Sequence, residues 1–302
     1  MAEDGGTKNP VVAEAVVVNT QPQAQTIPTT VDELLAGDGA MVKQLTNECC
    51  RCFVCQPNIH WTLHPYWGEA VNFDDIPGAT MWIQEEAAYC DRVWSFWAPG
   101  CRPTTYCTVE AAPPAGSGEV LAADGIEQDE STSGLTHKKS RSCGVTSIVG
   151  ATHNGDIIRC PMCCCLPYME TYGKDGELYG TSRYLCDECL FVPKFGVYDA
   201  SGTEIYRVRP DTCLGGICVR PRCGGAKGKC FRVPFLIRDP ATLEQIEDAT
   251  ITDLWSGFKN ECCTKKNIYA VKWPSKATKE MRGTLIGTTL LVDVALFEQE
   301  GK

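Results

Sequence analysis

Cysteine is the residue here with the widest choice of chemistry, and the chain carries 20 in 302 residues. As thiolates they bind metal, exchange disulfides or accept acyl chains. The densest run is Arg159-Cys-Pro-Met-Cys-Cys-Cys165. Adjacent residues of a strand point to opposite faces, so three consecutive cysteines cannot all enter one core and some thiols are presented outward. Downstream stand Cys186-Asp-Glu-Cys189 and a cysteine–glycine loop with Cys213, Cys218, Cys223 and Cys230. Cys160 and Cys163 are separated from Cys186 and Cys189 by 22 residues, near the ~15–20 spacing of a four-cysteine zinc site. Upstream, Cys52-x-x-Cys55 precedes His60-x-x-x-His64, a zinc-type order whose four-residue gap is shorter than the usual ~12–15. Zinc, acylation and burial as free thiols are the uses open to these residues.

A disulfide scaffold is a device of short secreted chains. The acidic start Met1-Ala-Glu-Asp-Gly-Gly lacks the basic and apolar segments of a secretion signal, so a reducing, cytosolic setting is expected. No nucleophile, base and orienter set, phosphate-binding loop or pair of catalytic carboxylates emerges, and covalent catalysis is not expected. Gly215-Gly216 and Gly224-Gly225 read as turn glycines, because no helix follows them.

The 28 basic and 38 acidic residues give a net charge of −10, which argues against a general nucleic-acid binder. The local balance differs. Arg207, Arg209, Arg220, Arg222, Lys227, Lys229 and Arg232 cluster in and around the 213–230 loop, opposed by Asp211. Such a cluster is either a solvated face or an anionic-lipid contact, worth about 1 kcal/mol per cation at a membrane surface.

These groups need elements to position them. Residues 283–297 carry one charge, Asp293, and no proline, and they have a helix's length rather than a strand's. Their apolar residues spread round the whole helical wheel, so the helix must be surrounded, by lipid or by protein. Fifteen residues span roughly 22 Å against a bilayer core of about 30 Å. Asp293 would add at least ~2.5 kcal/mol in lipid, so protein is favoured. The lysines and Arg282 before the run, with Glu298 and Glu300 after it, fit a membrane orientation with the preceding side cytosolic. Gly283 and Gly287 allow close approach of another backbone, whether a helix in a membrane or strands in a barrel.

Residues 1–45 are poor in large apolar side chains and read as a disordered tail with one short helix near 31–35. A barrel domain is expected over 46–298, interrupted by a flexible insertion at 110–142 and ending in a core helix at 278–298. Three hairpin signals follow the insertion, around Asn154-Gly155, Asp175-Gly176 and 199–202. Phe231, Val233, Phe235 and Ile237 then alternate with Arg232, Pro234, Leu236 and Arg238. This is an antiparallel meander, and many strands with one enveloped helix imply a mainly β, closed barrel around that helix.

The order of the Arg159–Cys165 run, Cys189-Leu-Phe-Val-Pro-Lys-Phe195, the cysteine–glycine loop, Trp255-Ser-Gly257 and Met281-Arg-Gly-Thr-Leu-Ile-Gly287 with Asp293 is similar to the phospholipid scramblase family. The resemblance runs from about residue 155 to 298. It implies a tubby-like fold of about twelve strands, the cytoplasmic face of the plasma membrane, phospholipids of the inner leaflet as partners, and ATP-independent lipid movement between leaflets. It also implies S-acylation, which falls on Cys163, Cys164 and Cys165, with Cys160 as a further acceptor. The family's calcium loop is not matched, because 264–272 offers Thr264 and Asn267 beside three lysines, whereas calcium takes six to eight oxygens. A lipid-anchored binding module without transport and a zinc-binding regulatory protein are the competing functions.

Overall fold

The computed structural model describes residues 27–45, 60–69, 78–86, 104–111, 133–141, 166–185, 192–213, 218–222, 232–254 and 267–297. Twelve strands close an antiparallel barrel. They are β1 (Gly39–Leu45), β2 (His60–Pro65), β3 (Met81–Glu86), β4 (Thr104–Val109), β5 (Ser133–Arg141), β6 (Pro167–Tyr172), β7 (Leu178–Leu185), β8 (Lys194–Asp199), β9 (Glu204–Pro210), β12 (Arg232–Arg238), β13 (Gln245–Leu254) and β14 (Ile268–Lys272). Between β9 and β12, β10 (Thr212–Cys213) and β11 (Cys218–Val219) form a separate two-stranded ribbon. Neighbours follow chain order, and β1 closes the ring by pairing with both β2 and β14.

The hairpins expected around Asp175-Gly176 and 199–202 are β6–β7 and β8–β9. The signal at Asn154-Gly155 lies outside the described residues. Phe235 and Ile237 of β12 face the core as their alternation requires, but Pro234 and Leu236 on the opposite face are covered as well. The short helix expected near 31–35 is α1 (Val31–Ala36), capped by Thr30, whose hydroxyl accepts from the Glu33 amide at 3.3 Å. Two boundaries are corrected. β1 is a barrel strand inside the stretch read as tail, and β5 is one inside the stretch read as insertion.

The lumen is filled by helix α2 (Lys279–Val292), which continues as a π-helical turn (Asp293–Phe297). Thr278 caps its start, accepting from the Met281 amide at 3.4 Å, and every residue from Gly283 to Val292 is buried. Its apolar side chains meet Trp61, Ile83, Tyr106, Phe195, Phe235 and others that alternate inward along the strands. Leu285, Ile286, Leu290, Leu291 and Val292 are all at 0 % exposure. At about 1.5–3 kcal/mol each they contribute roughly 10 kcal/mol, comparable to the whole stability of an ordinary domain. In water, then, α2 is the core and not an appendage. Its threonines tolerate this because they bond to their own helix: Thr284 donates to the Glu280 carbonyl at 2.8 Å, Thr288 to Thr284 at 2.9 Å and Thr289 to Leu285 at 2.9 Å.

α1 closes the barrel end at which α2 begins. Val31, Leu34 and Leu35 join the core, and Arg282 donates to the carbonyls of Leu35 at 2.6 Å and Gly37 at 3.0 Å.

Candidate functional site

Because the strands alternate direction, the two barrel ends collect different connections. The end opposite α1 receives the ends of β1, β3, β5, β7, β9 and β13 and the starts of β2, β4, β6, β8, β12 and β14. There Arg141 pairs with Pro167, so the 142–165 connection, with its cysteine run, leaves and rejoins the barrel at one point. Cys160, Cys163, Cys164 and Cys165 themselves lie outside the described residues, as do Lys227 and Lys229. Leu185 likewise pairs with Lys194 around the connection that carries Cys186 and Cys189.

The basic residues do not form one group. Arg207 and Arg209 project from β9, and Arg207 is held by Glu204 at 2.5 and 2.8 Å. Arg220 and Arg222 follow β11, with Arg222 donating to Asp211 at 3.3 Å. Arg232, grouped with the lipid-facing cations by sequence, is corrected by its burial at 7 % exposure. It donates to Glu69 at 2.5 Å, and Glu69 also accepts from Thr252 at 2.9 Å. The segment holding Glu69 crosses the outer wall with Tyr66 and Trp67, which cover Met41, Leu254, Ile268 and Ala270. Sequence reasoning missed this pairing, since nothing local in the chain links residues 69 and 232.

The metal order of His60 and His64 is also corrected. Both lie on one face of β2, four residues and therefore about 13 Å apart, too far to share an ion. His60 packs on the Trp82 ring at 5.2 Å, and His64 Nε2 bonds Thr62 Oγ1 at 2.9 Å. Among the described residues no cluster of histidine, cysteine or carboxylate could hold a metal ion.

Asp293 sits where α2 passes into its π turn, at 1 % exposure. Its Oδ2 accepts from Trp61 Nε1 at 3.0 Å, and its Oδ1 from Asn267 Nδ2 at 2.8 Å and Tyr269 Oη at 2.9 Å. The donors are side chains from β2, β14 and the residue before β14. Burial, and then the Asp293 charge, push the Tyr269 phenol well above its ordinary pKa, so it remains a donor. Asn267, noted in the sequence with Thr264 as an oxygen ligand of the calcium-loop stretch, is engaged here.

Gly283 and Gly287 face strands, not another helix. A Cβ on Gly283 would stand 3.0 Å from the Tyr179 ring, and one on Gly287 would collide with Thr171 Oγ1 and lie 2.9 Å from His137 Nδ1. Around them runs a polar seam: His137 Nδ1 bonds Thr171 Oγ1 at 3.0 Å, and Ser182 Oγ bonds Thr288 Oγ1 at 2.7 Å. Among the described residues no helix is long and apolar enough to cross a membrane.

Burial lowers the pKa of His137 to about 3 and of His60 to about 4. Their unfolded value is about 6.5, so between these limits the unfolded state binds more protons and stability falls as pH falls. Denaturant unfolding is expected to lose about 2 kcal/mol per histidine between pH 7 and pH 5. His137→Asn should remove its share of that slope, and an unchanged slope would contradict it.

Residues 153–299 match the Scramblase family model. Phospholipid scramblase 1 of Mus musculus is 25% identical over 147 residues, covering 48% of this chain and 40% of that protein. Phospholipid scramblase 2 of Homo sapiens is 26% identical over 145 residues, covering 47% and 43%. Phospholipid scramblase family member 5 of Homo sapiens is 26% identical over 144 residues, covering 47% of each. The match thus covers less than half the length of each of these relatives. No solved structure matches. The stretch similar to the Scramblase model, residues 153–299, holds the barrel from β6 onward and the helix at its centre.

Proposed function

We propose that this is a scramblase-like protein held at the cytoplasmic face of the plasma membrane, where it moves phospholipids between leaflets without ATP. The family match over 153–299 carries this reading, and that family is not a catalytic class. Acyl chains on Cys163, Cys164 and Cys165, with Cys160 as a further acceptor, supply one attachment. Arg207, Arg209, Arg220, Arg222, Lys227 and Lys229 supply a second, and stable anchoring takes two signals. Arg141 and Pro167 frame the cysteine connection at the barrel end where β9 finishes and β12 starts, which favours both signals meeting one membrane.

One observation favours a second function, a lipid-anchored barrel that binds inner-leaflet headgroups or protein partners and transports nothing. α2 is enclosed, and an enclosed helix provides no polar route across hydrocarbon. Vesicles containing the purified full chain and a fluorescent phospholipid in both leaflets separate the two. Transport brings the inner-leaflet label to an external quencher, whereas protection of that label equal to protein-free vesicles leaves the binding module. In cells, Cys163→Ser with Cys164→Ser and Cys165→Ser is expected to move the protein to the soluble fraction. Unchanged membrane retention would contradict the acyl assignment.

A further inference from the structure

We propose that the outer wall formed by β7, β8, β9 and β12 binds the anionic headgroups of a phospholipid bilayer. This deepens the membrane-associated function above, on which it rests, and it moves the main contact from the 213–230 loop to the side of the barrel. Strand register carries it. Arg183 of β7 pairs with Gly196 of β8, Gly196 with Arg207 of β9, and Arg207 with Arg238 of β12. Three arginines therefore stand in one row across four strands, spanning about 14 Å at the usual strand spacing. Lys194 and Arg209 flank the adjoining Phe195–Val208 pair. Phe195 and Val208 belong to the core, so Lys194 and Arg209, one residue away on each strand, are on the outer face.

The charge of this wall is one-sided. The four strands hold six cationic residues and two carboxylates, Asp199 and Glu204, both at the far hairpin. Glu204 is taken by Arg207, and Asp199 accepts from Ser201 and Thr203 of its own turn, both at 2.9 Å. The sixth cation, Arg232, is the buried partner of Glu69. In a chain of net charge −10 the wall inverts the overall sign, and charge complementarity selects an anionic surface.

The wall is also shaped for a surface. Gly196 leaves room for the Tyr198 ring to fold across the row, with its hydroxyl 2.8 Å from where a Cβ would stand. The exposed Arg183 guanidinium lies over that ring at 5.0 Å. Tyr198 is itself buried at 5 % exposure, so its ring backs the Arg183 guanidinium and leaves the charge, not the tyrosine, to face the headgroups. Lys194 and Leu185 frame the connection bearing Cys186 and Cys189, so the wall is continuous with the barrel end that would carry acyl chains. A nucleic-acid duplex, which takes more phosphate contacts along a longer track, suits this compact patch less well.

The test uses the full chain made without acylation, sedimented with vesicles of phosphatidylcholine alone or with added phosphatidylserine and phosphatidylinositol bisphosphate. Binding is expected to the anionic vesicles only, weakening as salt rises. Each surface cation contributes about fivefold, so Arg183→Gln with Lys194→Gln and Arg238→Gln should weaken partitioning roughly 100-fold. Lys174→Gln with Lys276→Gln and Lys279→Gln, at the opposite end, should stay near wild type. Unfolding midpoints are measured for both variants, and if the wall variant unfolds, Arg183→Gln alone is read for its fivefold loss. Equal binding to neutral vesicles, an undiminished folded wall variant, or tighter binding to a DNA duplex than to anionic vesicles would each overturn the proposal. Lipid transport by an acylated chain that ignores anionic vesicles would overturn the wall alone, and vesicle binding without transport would overturn only the scramblase function.

Discussion

Asp293→Ala is expected to destabilise the protein by about 3–5 kcal/mol, read as a lower denaturant midpoint at pH 7. The carboxylate is buried at 1 % exposure and satisfies the Trp61 indole, the Asn267 amide and the Tyr269 phenol together. Alanine removes all three acceptor interactions and orphans three donors in the barrel core, and each orphaned group costs about 1–3 kcal/mol. Asp293→Asn keeps one carbonyl acceptor but opposes an amide N–H to donors, so about half of the loss should remain. The clasp joins the last turn of α2 to β2 and to the lead-in of β14. Its loss should therefore also raise hydrogen exchange at 290–297 before it affects the α1 end. A loss below about 1 kcal/mol for the alanine variant would mean that the three donors find other acceptors.

Gly287→Ala is expected to cost more than Gly283→Ala, by about 2 kcal/mol or more. The added methyl at Gly287 would overlap Thr171 Oγ1, which is buried and fixed by its bond to His137, and His137 is fully buried as well. Neither side chain can swing away, so α2 must shift from β5 and β6 and strain the other contacts it makes. At Gly283 the nearest atoms belong to the half-buried Tyr179 ring and Leu135, which yield by small rotations. The expected Gly283→Ala loss is about 1 kcal/mol, offset in part by alanine's better helix propensity. Gly287→Val should not yield a folded monomer. Thermal unfolding of the two alanine variants side by side checks the order, and equal losses would contradict the close approach at Gly287.

The sequence makes the centre of the fold legible and hides its closure. The run from Gly283 to Phe297 announces an enclosed helix because its apolar residues leave no polar side, and the barrel supplies that enclosure. The β6–β7 and β8–β9 hairpins are readable because Asp175-Gly176 and Asp199 to Gly202 are strong turn signals between alternating strands. β5 is not readable. Its inward positions include Leu135, His137 and Lys139, polar for the most part, since α2 presents glycine and threonine to this side of the barrel. β1 fails for a related reason: Lys43 and Gln44 dilute a short strand whose inward Ala40 and Val42 are small. Long-range polar pairs leave no local trace. Trp61 and Asp293 are 232 residues apart, and Glu69 and Arg232 are 163 apart. Arg232 therefore reads as a member of a basic loop until Glu69 is seen against it.

These features favour a barrel that meets lipid from outside while its apolar helix stays within. Vesicle-bound full chain irradiated with a phospholipid bearing a diazirine at its tail, then mapped by mass spectrometry, tests that division most directly. The expected result is no lipid adduct on the peptide covering 283–297. Adducts along Leu285, Ile286, Leu290 and Leu291 would show the helix in the bilayer and contradict the enclosed barrel as the membrane-bound form.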